Sequence, residues 1–557
     1  MVKQAGVALI SVYDKEGITE FAEGLFKQGW KLYASGGTAQ QIRDAKIPVS
    51  DVSELVGGGA ILGHRVVSLS REVYAGLLAD YDKPEDVAEL KKLDIPFIDL
   101  VCVDMYPLEE EIAKAGVTVK DVIEKTDIGG PTLLRASAKG RRIVLSAQEQ
   151  RKEVLQWLND GKPDEGKFLE GLAARAEYEV TRYTMTLAKY MGGNEISGNI
   201  ARLNVNTVYG ENPQQADAGF YSDNRVAVDP LGLDHFEFVK GFPRSYINMT
   251  DIDRLLQMAT HIVAGFEVNF GEKPAVAIGV KHGNACGAAV ATTHAEAAKK
   301  MIDGDIRAIF GGVVMISGII DEEVADVLMH YRMKTGNSRL LDGVIGAGVT
   351  DGALAMLVRK KLRVVINPAL ANLTKESIDN TRRIRPVRGG MLAQPNYTFI
   401  QDLSADYMKF HGSKLTDQQK RDMILGWAIG STSNSNTIVL VKEGKIISNG
   451  VGQQDRIGAS QLALTRTTTQ FPDLNEVDGE LSMTIHLRKQ KLQGTVAYSD
   501  SFFPFPDGPE LLARAGVRAI LTTSGSVADE QVVKALVDAG VSLAMVPDTT
   551  GRGFFGH

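Results

Sequence analysis

Residues 280–287 read Val280-Lys281-His282-Gly283-Asn284-Ala285-Cys286-Gly287. A cation, an imidazole and an amide in near succession are groups that stabilise an anion and move a proton. A free imidazole titrates near 6.5, which makes His282 a natural proton shuttle. The flanking glycines let the backbone turn sharply or approach a ligand closely. A solvated histidine in a glycine-rich turn is the plainer reading of the same residues. A second group is Ser35-Gly36-Gly37-Thr38, a turn between a strand and a helix. That arrangement aims free backbone N–H groups at an anion, although most Gly-Gly turns bind nothing. A third is Asp127-Ile128-Gly129-Gly130-Pro131-Thr132, a carboxylate before another glycine pair. Such an aspartate is often only a helix cap.

These groups need elements to hold them. The apolar run 274–280 predicts a buried strand ending at Lys281. Residues 7–10 are apolar, Asp14 is a candidate helix cap, and Ile18, Phe21, Ala22, Leu25 and Phe26 share one helical face. Strands are expected at 30–34, 97–105 and 142–146, and helices at 39–45, 133–139 and through most of 148–191. Tyr106-Pro107 then falls at the end of a strand. Strands alternating with helices predict an α/β fold with a parallel sheet, whose ligands sit at the carboxyl ends of the strands. The Gly-, Asn- and Ser-rich segment 192–200 marks a boundary. It divides the chain into residues 1–197 and 198–557. In the second part, 437–441 and 445–447 read as a hairpin around Glu443-Gly444. A strand at 518–521, a turn at 522–526 and a helix at 527–539 repeat the device of residues 30–45.

At 557 residues, 44% hydrophobic and 24% charged, the composition is that of a globular chain with two or more domains. A net charge of -7 argues against nucleic-acid binding as the main task. Two cysteines, Cys102 and Cys286, cannot form a disulfide framework, so a reducing cytoplasm is the expected compartment. No signal peptide and no bilayer-spanning run is read.

Taken together, the stretches ISVYDK, SGGT, YP, DIGGPT with LRASAK, YGENP, VKHGNACG, IFGG, the region of Asn436 and GQQDR, SDSFFPF and the Arg552 tail carry a resemblance. Over essentially its whole length the chain resembles the bifunctional purine biosynthesis family that joins AICAR formyltransferase to IMP cyclohydrolase. AICAR is 5-aminoimidazole-4-carboxamide ribonucleotide. The resemblance implies an N-terminal methylglyoxal-synthase-like doubly wound domain. It implies a C-terminal formyltransferase region of two cytidine-deaminase-like α/β subdomains. It further implies a homodimer whose formyltransferase site draws on both subunits, 10-formyltetrahydrofolate as co-substrate and no catalytic metal. Whether a monovalent cation is bound stays open.

For formyl transfer, the resemblance makes Lys281, His282 and Asn436 catalytic. The substrate amine is a weak nucleophile, because its lone pair is delocalised into the ring. Transfer therefore needs positioning, a proton acceptor and stabilisation of a tetrahedral oxyanion. Arg456 and Arg552 match nucleotide-contacting positions, and arginine suits bidentate phosphate recognition. Tyr209, Ile247, Asn248, Phe310, Gly311 and Asp500 match further substrate positions. Phe505, Phe554 and Phe555 offer stacking surface. For ring closure, Ser11, Ser35, Gly36, Gly37 and Thr38 would anchor phosphate, and Tyr106, Asp127 and Lys139 match catalytic or binding positions.

The chain departs from the family pattern in two places. Around residues 63–71 the family reads G-R-V-K-T-L-H-P. Here Arg65 and Leu69 remain, but Val67 replaces the lysine and Ser70-Arg71 replaces the His-Pro pair. Valine supplies neither proton nor charge, so cyclohydrolase activity is expected to be weakened, rerouted or lost, with His64 and Arg71 as candidate substitutes. Val208 also replaces an arginine before YGENP, and Gln214 replaces a histidine after it.

Three other readings compete. A zinc deaminase needs H-x-E, found at His294-Ala295-Glu296 and His235-Phe236-Glu237, and also a Cys-x-x-Cys that two distant cysteines cannot build. Both H-x-E stretches are expected on solvated faces. A scaffold protein that senses a purine nucleotide fits the altered 63–71 loop but not the Lys281-His282 pair. A formyltransferase using free formate and ATP finds no Walker-type loop.

Overall fold

The computed structural model describes residues 6–62, 66–222, 229–241, 244–467 and 492–556. The chain divides into two compact units, Met1–Ile200 and Ala201–His557.

The first unit is a five-stranded parallel sheet in the order β3-β2-β1-β4-β5. Its strands are β1 (Gly6–Val12), β2 (Trp30–Ala34), β3 (Ser50–Asp51), β4 (Leu100–Asp104) and β5 (Ile143–Leu145). β1 is central and largely buried, which explains its near-continuous apolar sequence. The chain winds outward from β1 to β3 and then crosses to β4, so the carboxyl ends of β1 and β4 flank the switch point where ligands collect. In the helix Ile18–Lys27, Ile18, Phe21, Ala22 and Leu25 are buried, but Phe26 is exposed. Asp14 does not cap that helix. Its Oδ1 accepts from the Glu16 N–H at 2.9 Å, and Gly17, at φ 69, occupies the capping position instead.

The second unit is built on a twelve-stranded sheet in the order β18-β23-β22-β21-β19-β20-β10-β9-β11-β13-β15-β8. One half comprises β8 (Glu237–Lys240), β9 (Ala275–Lys281), β10 (Asn284–Ala291), β11 (Val313–Ile316), β13 (Gly343–Gly346) and β15 (Arg363–Ile366). The other comprises β18 (Lys409–His411), β19 (Ile438–Lys442), β20 (Lys445–Gly450), β21 (Val496–Ser499), β22 (Ala519–Ser524) and β23 (Ser542–Pro547). The halves repeat one topology. Each runs edge strand, long helix, hairpin, helix, then three parallel strands, and the hairpin strands β10 and β20 join the halves through Ala289 and Lys445. Three two-stranded ribbons lie outside this sheet: β6 with β7 (Arg202–Asn206, Gly219–Ser222), β12 with β14 (Ile319–Ile320, Gly348–Val349) and β16 with β17 (Arg383–Val387, Gly390–Gln394).

The long helices of the two halves, Tyr246–Phe270 and Asp417–Gly430, contribute to one continuous apolar core on the same side of the sheet. Fully buried Trp427 and Phe266 belong to it, and truncating either to alanine costs about 3–5 kcal/mol. The hairpin turns repeat as well. His282 and Gly283 have φ 54 and 71, and Glu443 and Gly444 have φ 55 and 74. Two consecutive left-handed residues make the tight turn whose twist matches a hairpin.

Candidate functional site

In the first unit, the helix Gly36–Asp44 starts where β2 ends, with Ser35 at its capping position. Ser35 Oγ lies 2.8 Å from Ser11 Oγ at the end of β1, and Thr38 Oγ1 donates to the Val12 carbonyl at 3.2 Å. Gly36 and Gly37 are exposed, and a side chain on Gly37 would meet Lys15 Cε at 3.5 Å. Hydroxyls, open glycine backbone and a lysine stem therefore converge at the start of one helix, as an anion cradle requires. Tyr106 follows β4, half-exposed, edge-on to Tyr13 at 5.2 Å. Asp127 Oδ1 accepts from the Gly130 N–H at 2.9 Å, and Tyr183 Oη accepts from the Asp127 N–H at 2.6 Å. Burial pushes the Asp127 carboxyl above its ordinary range, against the opposing pull of N–H groups at Gly130, Gly129 and Tyr106. It is thus biased towards holding a proton. Gly130 leaves room for this carboxylate, since a Cβ there would sit 2.4 Å from Oδ2.

Lys139 is not brought to this group. It ends the helix Gly129–Lys139, about 15 Å along the axis from Gly129. Ser70 is committed to its own helix, and the Arg71 side chain stands exposed. Ser70 Oγ accepts from the Val73 N–H at 3.2 Å as a helix cap, and Arg71 pairs with its neighbour Glu72 at 3.2 Å. Val67 packs against the apolar core. Arg65, with Gly63 and His64, lies outside the described residues.

In the second unit, Lys281 ends β9 and its Nζ donates to the Phe310 carbonyl at 2.8 Å. That carbonyl begins the turn through Gly311, whose φ is 77. A side chain on Gly311 would reach Lys281 Nζ only at ordinary contact distance, 3.7 Å, so it is the left-handed backbone that favours glycine here. The turn after His282 is held from below by Asp251, whose Oδ1 accepts from the Gly283 N–H at 2.9 Å. Burial raises the Asp251 carboxyl, while this N–H and the charge of nearby His282 lower it. Neither sequence motif nor resemblance singled out Asp251. Its signal is weak, since Asp253, Arg254 and Glu267 also stand on this helix and only burial distinguishes Asp251. The second half repeats the device, with Asp422 accepting from the Glu443 and Gly444 N–H groups at 3.0 and 2.8 Å. Asn248, near the start of the same long helix, is buried with Oδ1 unpartnered, and Ile247 beside it is half-exposed. The segment of Tyr209 is tied to that helix start, because the Val208 N–H donates to the Arg244 carbonyl at 3.2 Å.

A cavity of about 490 Å³ lies in the other half, lined by Asn436, Arg456, Phe502, Arg552 and Phe554 among others. Asn436 Nδ2 donates to the Gln453 carbonyl at 2.9 Å. Beneath it, fully buried Asp500 ion-pairs with Arg456, accepts from the Thr437 N–H at 2.9 Å and accepts from Ser435 Oγ at 2.5 Å. Arg552 pairs with Asp548 at 2.6 Å. Phe505 is exposed and stands outside the lining. Arg254 links the two groups. One nitrogen donates to Asn434 Oδ1 at 3.1 Å and to the Phe555 carbonyl at 2.9 Å, and Gly283 sits against its stem. Burial and the Arg383 charge push its pKa down to about 10. Arg254 also escaped sequence reading.

Among the described residues, no group of three His, Cys, Asp or Glu is placed to hold a metal, and no helix is long and apolar enough to cross a membrane. His294 is not on a solvated face. It is half-buried at the start of a helix, with Nε2 3.2 Å from Ser317 Oγ. Cys102 and Cys286 are buried, and desolvation pushes both thiols up to about 12.

A parallel α/β unit with an anion cradle, followed by a duplicated mixed-sheet unit with a Lys-His turn, defines a two-part enzyme of the purine-biosynthetic bienzyme class. The chain belongs to the AICARFT/IMPCHase bienzyme family, which matches residues 138–466, while the MGS-like domain matches residues 17–132. It is 31% identical over 552 residues to the bifunctional purine biosynthesis protein PurH of Staphylococcus saprophyticus, covering 99% of each chain. It is 33% identical over 565 residues to PurH of a Ruegeria species, covering 99% of this chain and 98% of the relative. The crystal structure of ForH is 33% identical over 34% of this chain and 97% of its own, with a TM-score of 0.31.

Proposed function

We propose that the second unit transfers a formyl group from 10-formyltetrahydrofolate to the 5-amino group of AICAR, and that the first unit binds purine nucleotide without efficient ring closure. The observation that carries the first part is the Lys281-His282 turn, anchored by Asp251 below and by the Phe310 carbonyl at its side. The amine attacks the formyl carbon, its proton passes to His282, the oxyanion is stabilised by Lys281, and the bond from carbon to the folate nitrogen breaks as that nitrogen regains a proton. Asn436 positions the reacting groups, and Arg456 and Arg552 hold the nucleotide phosphate. Tyr209, Ile247, Asn248, Phe310, Gly311, Asp500 and Phe554 shape the substrate site, with Phe505 available for stacking. The subdomains are of the cytidine-deaminase-like kind, consistent with the repeated strand order. A homodimer completes the site. The exposed Val387, Met391 and Leu392 on the β16–β17 ribbon favour such a pairing, because exposed apolar clusters mark interfaces.

In the first unit, Ser11, Ser35, Gly36, Gly37 and Thr38 hold phosphate, and Asp127 with Tyr106 remains at the cradle. The group that would drive cyclisation is absent at Val67, Ser70 is a helix cap and Arg71 points into solvent beside Glu72. The test is to supply the purified chain with AICAR and 10-formyltetrahydrofolate and to quantify the formylated intermediate and IMP separately. The formylated intermediate should accumulate. IMP as the main product would overturn the reading of the first unit, and no product would overturn that of the second.

A further inference from the structure

The second unit carries one supporting device twice, and the two copies differ where the chemistry lies. Each long helix places an aspartate six residues after its capping hydroxyl, Asp251 after Ser245 and Asp422 after Thr416. Each aspartate holds the left-handed turn of the hairpin that follows, at His282-Gly283 and at Glu443-Gly444. Both are buried, at 5% and 3% exposed.

In the second half the carboxylate is fully used. Asp422 Oδ2 accepts from the Glu443 N–H at 3.0 Å, and Oδ1 accepts from the Gly444 N–H at 2.8 Å and from Gln418 Nε2 at 2.9 Å. In the first half only Oδ1 is used, by the Gly283 N–H at 2.9 Å. Oδ2 accepts no hydrogen bond among the described residues. The position one helical turn earlier, which supplies Gln418 to Asp422, is Ile247 here and offers no side-chain donor. Holding a turn does not require this difference, because the second copy holds its turn with both oxygens. A buried carboxylate oxygen without a donor costs stability and calls for an explanation.

The turn residue differs in the matching way. Where the second copy has Glu443, the first has His282, which is exposed and whose ring makes no hydrogen bond among the described residues. Burial raises the Asp251 carboxyl. The Gly283 N–H, the His282 charge and Arg254 oppose that rise, and Asp342 adds to it.

We propose that Asp251 is the positioning residue of the formyl-transfer base: with substrate bound, its Oδ2 accepts from one ring N–H of His282 and leaves the other ring nitrogen bare towards the substrate amine. This rests on the reading of His282 as the proton acceptor. One nitrogen of a neutral imidazole accepts a proton only while the other carries the hydrogen. A carboxylate fixes that tautomer and stabilises the imidazolium that forms, without taking the proton itself. The amine proton stays on His282 until it passes to the folate nitrogen. Hydrogen bonds of this kind are often open in the unliganded enzyme and close when substrate binds. Asp422 is the same carboxylate used wholly on its own half, beneath a turn with no imidazole.

The test compares Asp251→Asn with Asp422→Asn in the full chain. Asparagine at 251 still accepts from the Gly283 N–H but presents an amide donor where Oδ2 stood. Its kcat, followed by tetrahydrofolate release, is expected to fall at least about tenfold, with the AICAR dissociation constant within about twofold of wild type and the melting temperature unchanged. Asp422→Asn should show the reverse, a lower melting temperature with kcat unchanged. An unchanged kcat in Asp251→Asn, or equal losses of kcat in the two variants, would overturn the proposal. The ring nitrogen-15 shifts of His282 in the AICAR-bound protein need no turnover. They should show one dominant tautomer in the wild type and a mixture in Asp251→Asn. A mixture in both would overturn the proposal whether or not the chain transfers formyl groups. One tautomer in a wild type that makes no product would keep the Asp251–His282 pair and fault the formyl-transfer reading alone.

Discussion

Asp500→Asn is the perturbation whose consequence follows most fully from the structure. Asp500 is 0% exposed and Arg456 8% exposed, so their ion pair is shielded from water. Asparagine keeps the shape and the acceptor for the Thr437 N–H, but it leaves the Arg456 cation buried without a counter-charge. Removing one partner of a buried pair costs about 3–5 kcal/mol. The retained hydrogen bond places this case near the lower end, about 3 kcal/mol. For a large domain about 2 °C accompanies each kcal/mol, so calorimetry should show the melting temperature falling by about 6 °C. Arg456 also lines the cavity with Asn436, so the Michaelis constant for nucleotide should rise in the same variant. A second substitution separates charge from packing. Asp500→Asn with Arg456→Met removes both charges and should recover most of the lost stability, giving a coupling of at least about 2 kcal/mol. A melting temperature within about 1 °C of wild type, or strictly additive losses in the double variant, would refute the reasoning.

Val67→Lys restores the lysine of the family pattern and should raise the fraction of product appearing as IMP, measured by chromatography after a fixed formylation time. His261 is pushed down to about 4 by burial, against an ordinary value near 6.5. The unfolded chain therefore binds more protons between those values, so stability is complete above about 6.5 and is lost as pH falls towards 4, by up to about 3 kcal/mol. Denaturant titrations across that window should show this slope, and His261→Leu should flatten it. With both thiols buried and pushed up to about 12, Cys102 and Cys286 should resist iodoacetamide at pH 8 in the native protein and react together after denaturation, read by mass spectrometry.

Much of the fold was legible because local pattern and tertiary role agree. β2 falls at residues 30–34, where its apolar run begins and ends, and the hairpin around Glu443-Gly444 forms where a residue able to turn left-handed precedes a glycine. The strand-to-helix turn at Ser35-Gly36-Gly37-Thr38 was legible for the same reason, since the segment is contiguous. What escaped was long-range. Asp251 and Arg254 sit three residues apart on one helix yet serve partners far along the chain, Gly283 for the first and Asn434 and Phe555 for the second. Tyr183 reaches Asp127 only because a 28-residue helix runs back across the unit. Lys139 illustrates the opposite relation, near in sequence and distant along the fold. The family resemblance groups it with Asp127, whereas it ends the helix that Gly129 begins, about 15 Å along the axis. The two units part after Ile200, at the end of the Gly-, Asn- and Ser-rich segment 192–200 and three residues beyond position 197.

The central claim is that the Lys281-His282 turn performs formyl transfer. The most direct test compares the wild type with His282→Asn, following tetrahydrofolate release and, separately, AICAR binding by calorimetry. Loss of the proton acceptor should lower kcat by about 10²-fold or more, with the AICAR dissociation constant within about twofold of wild type. An unchanged kcat would contradict the assignment and move the chemistry away from this turn.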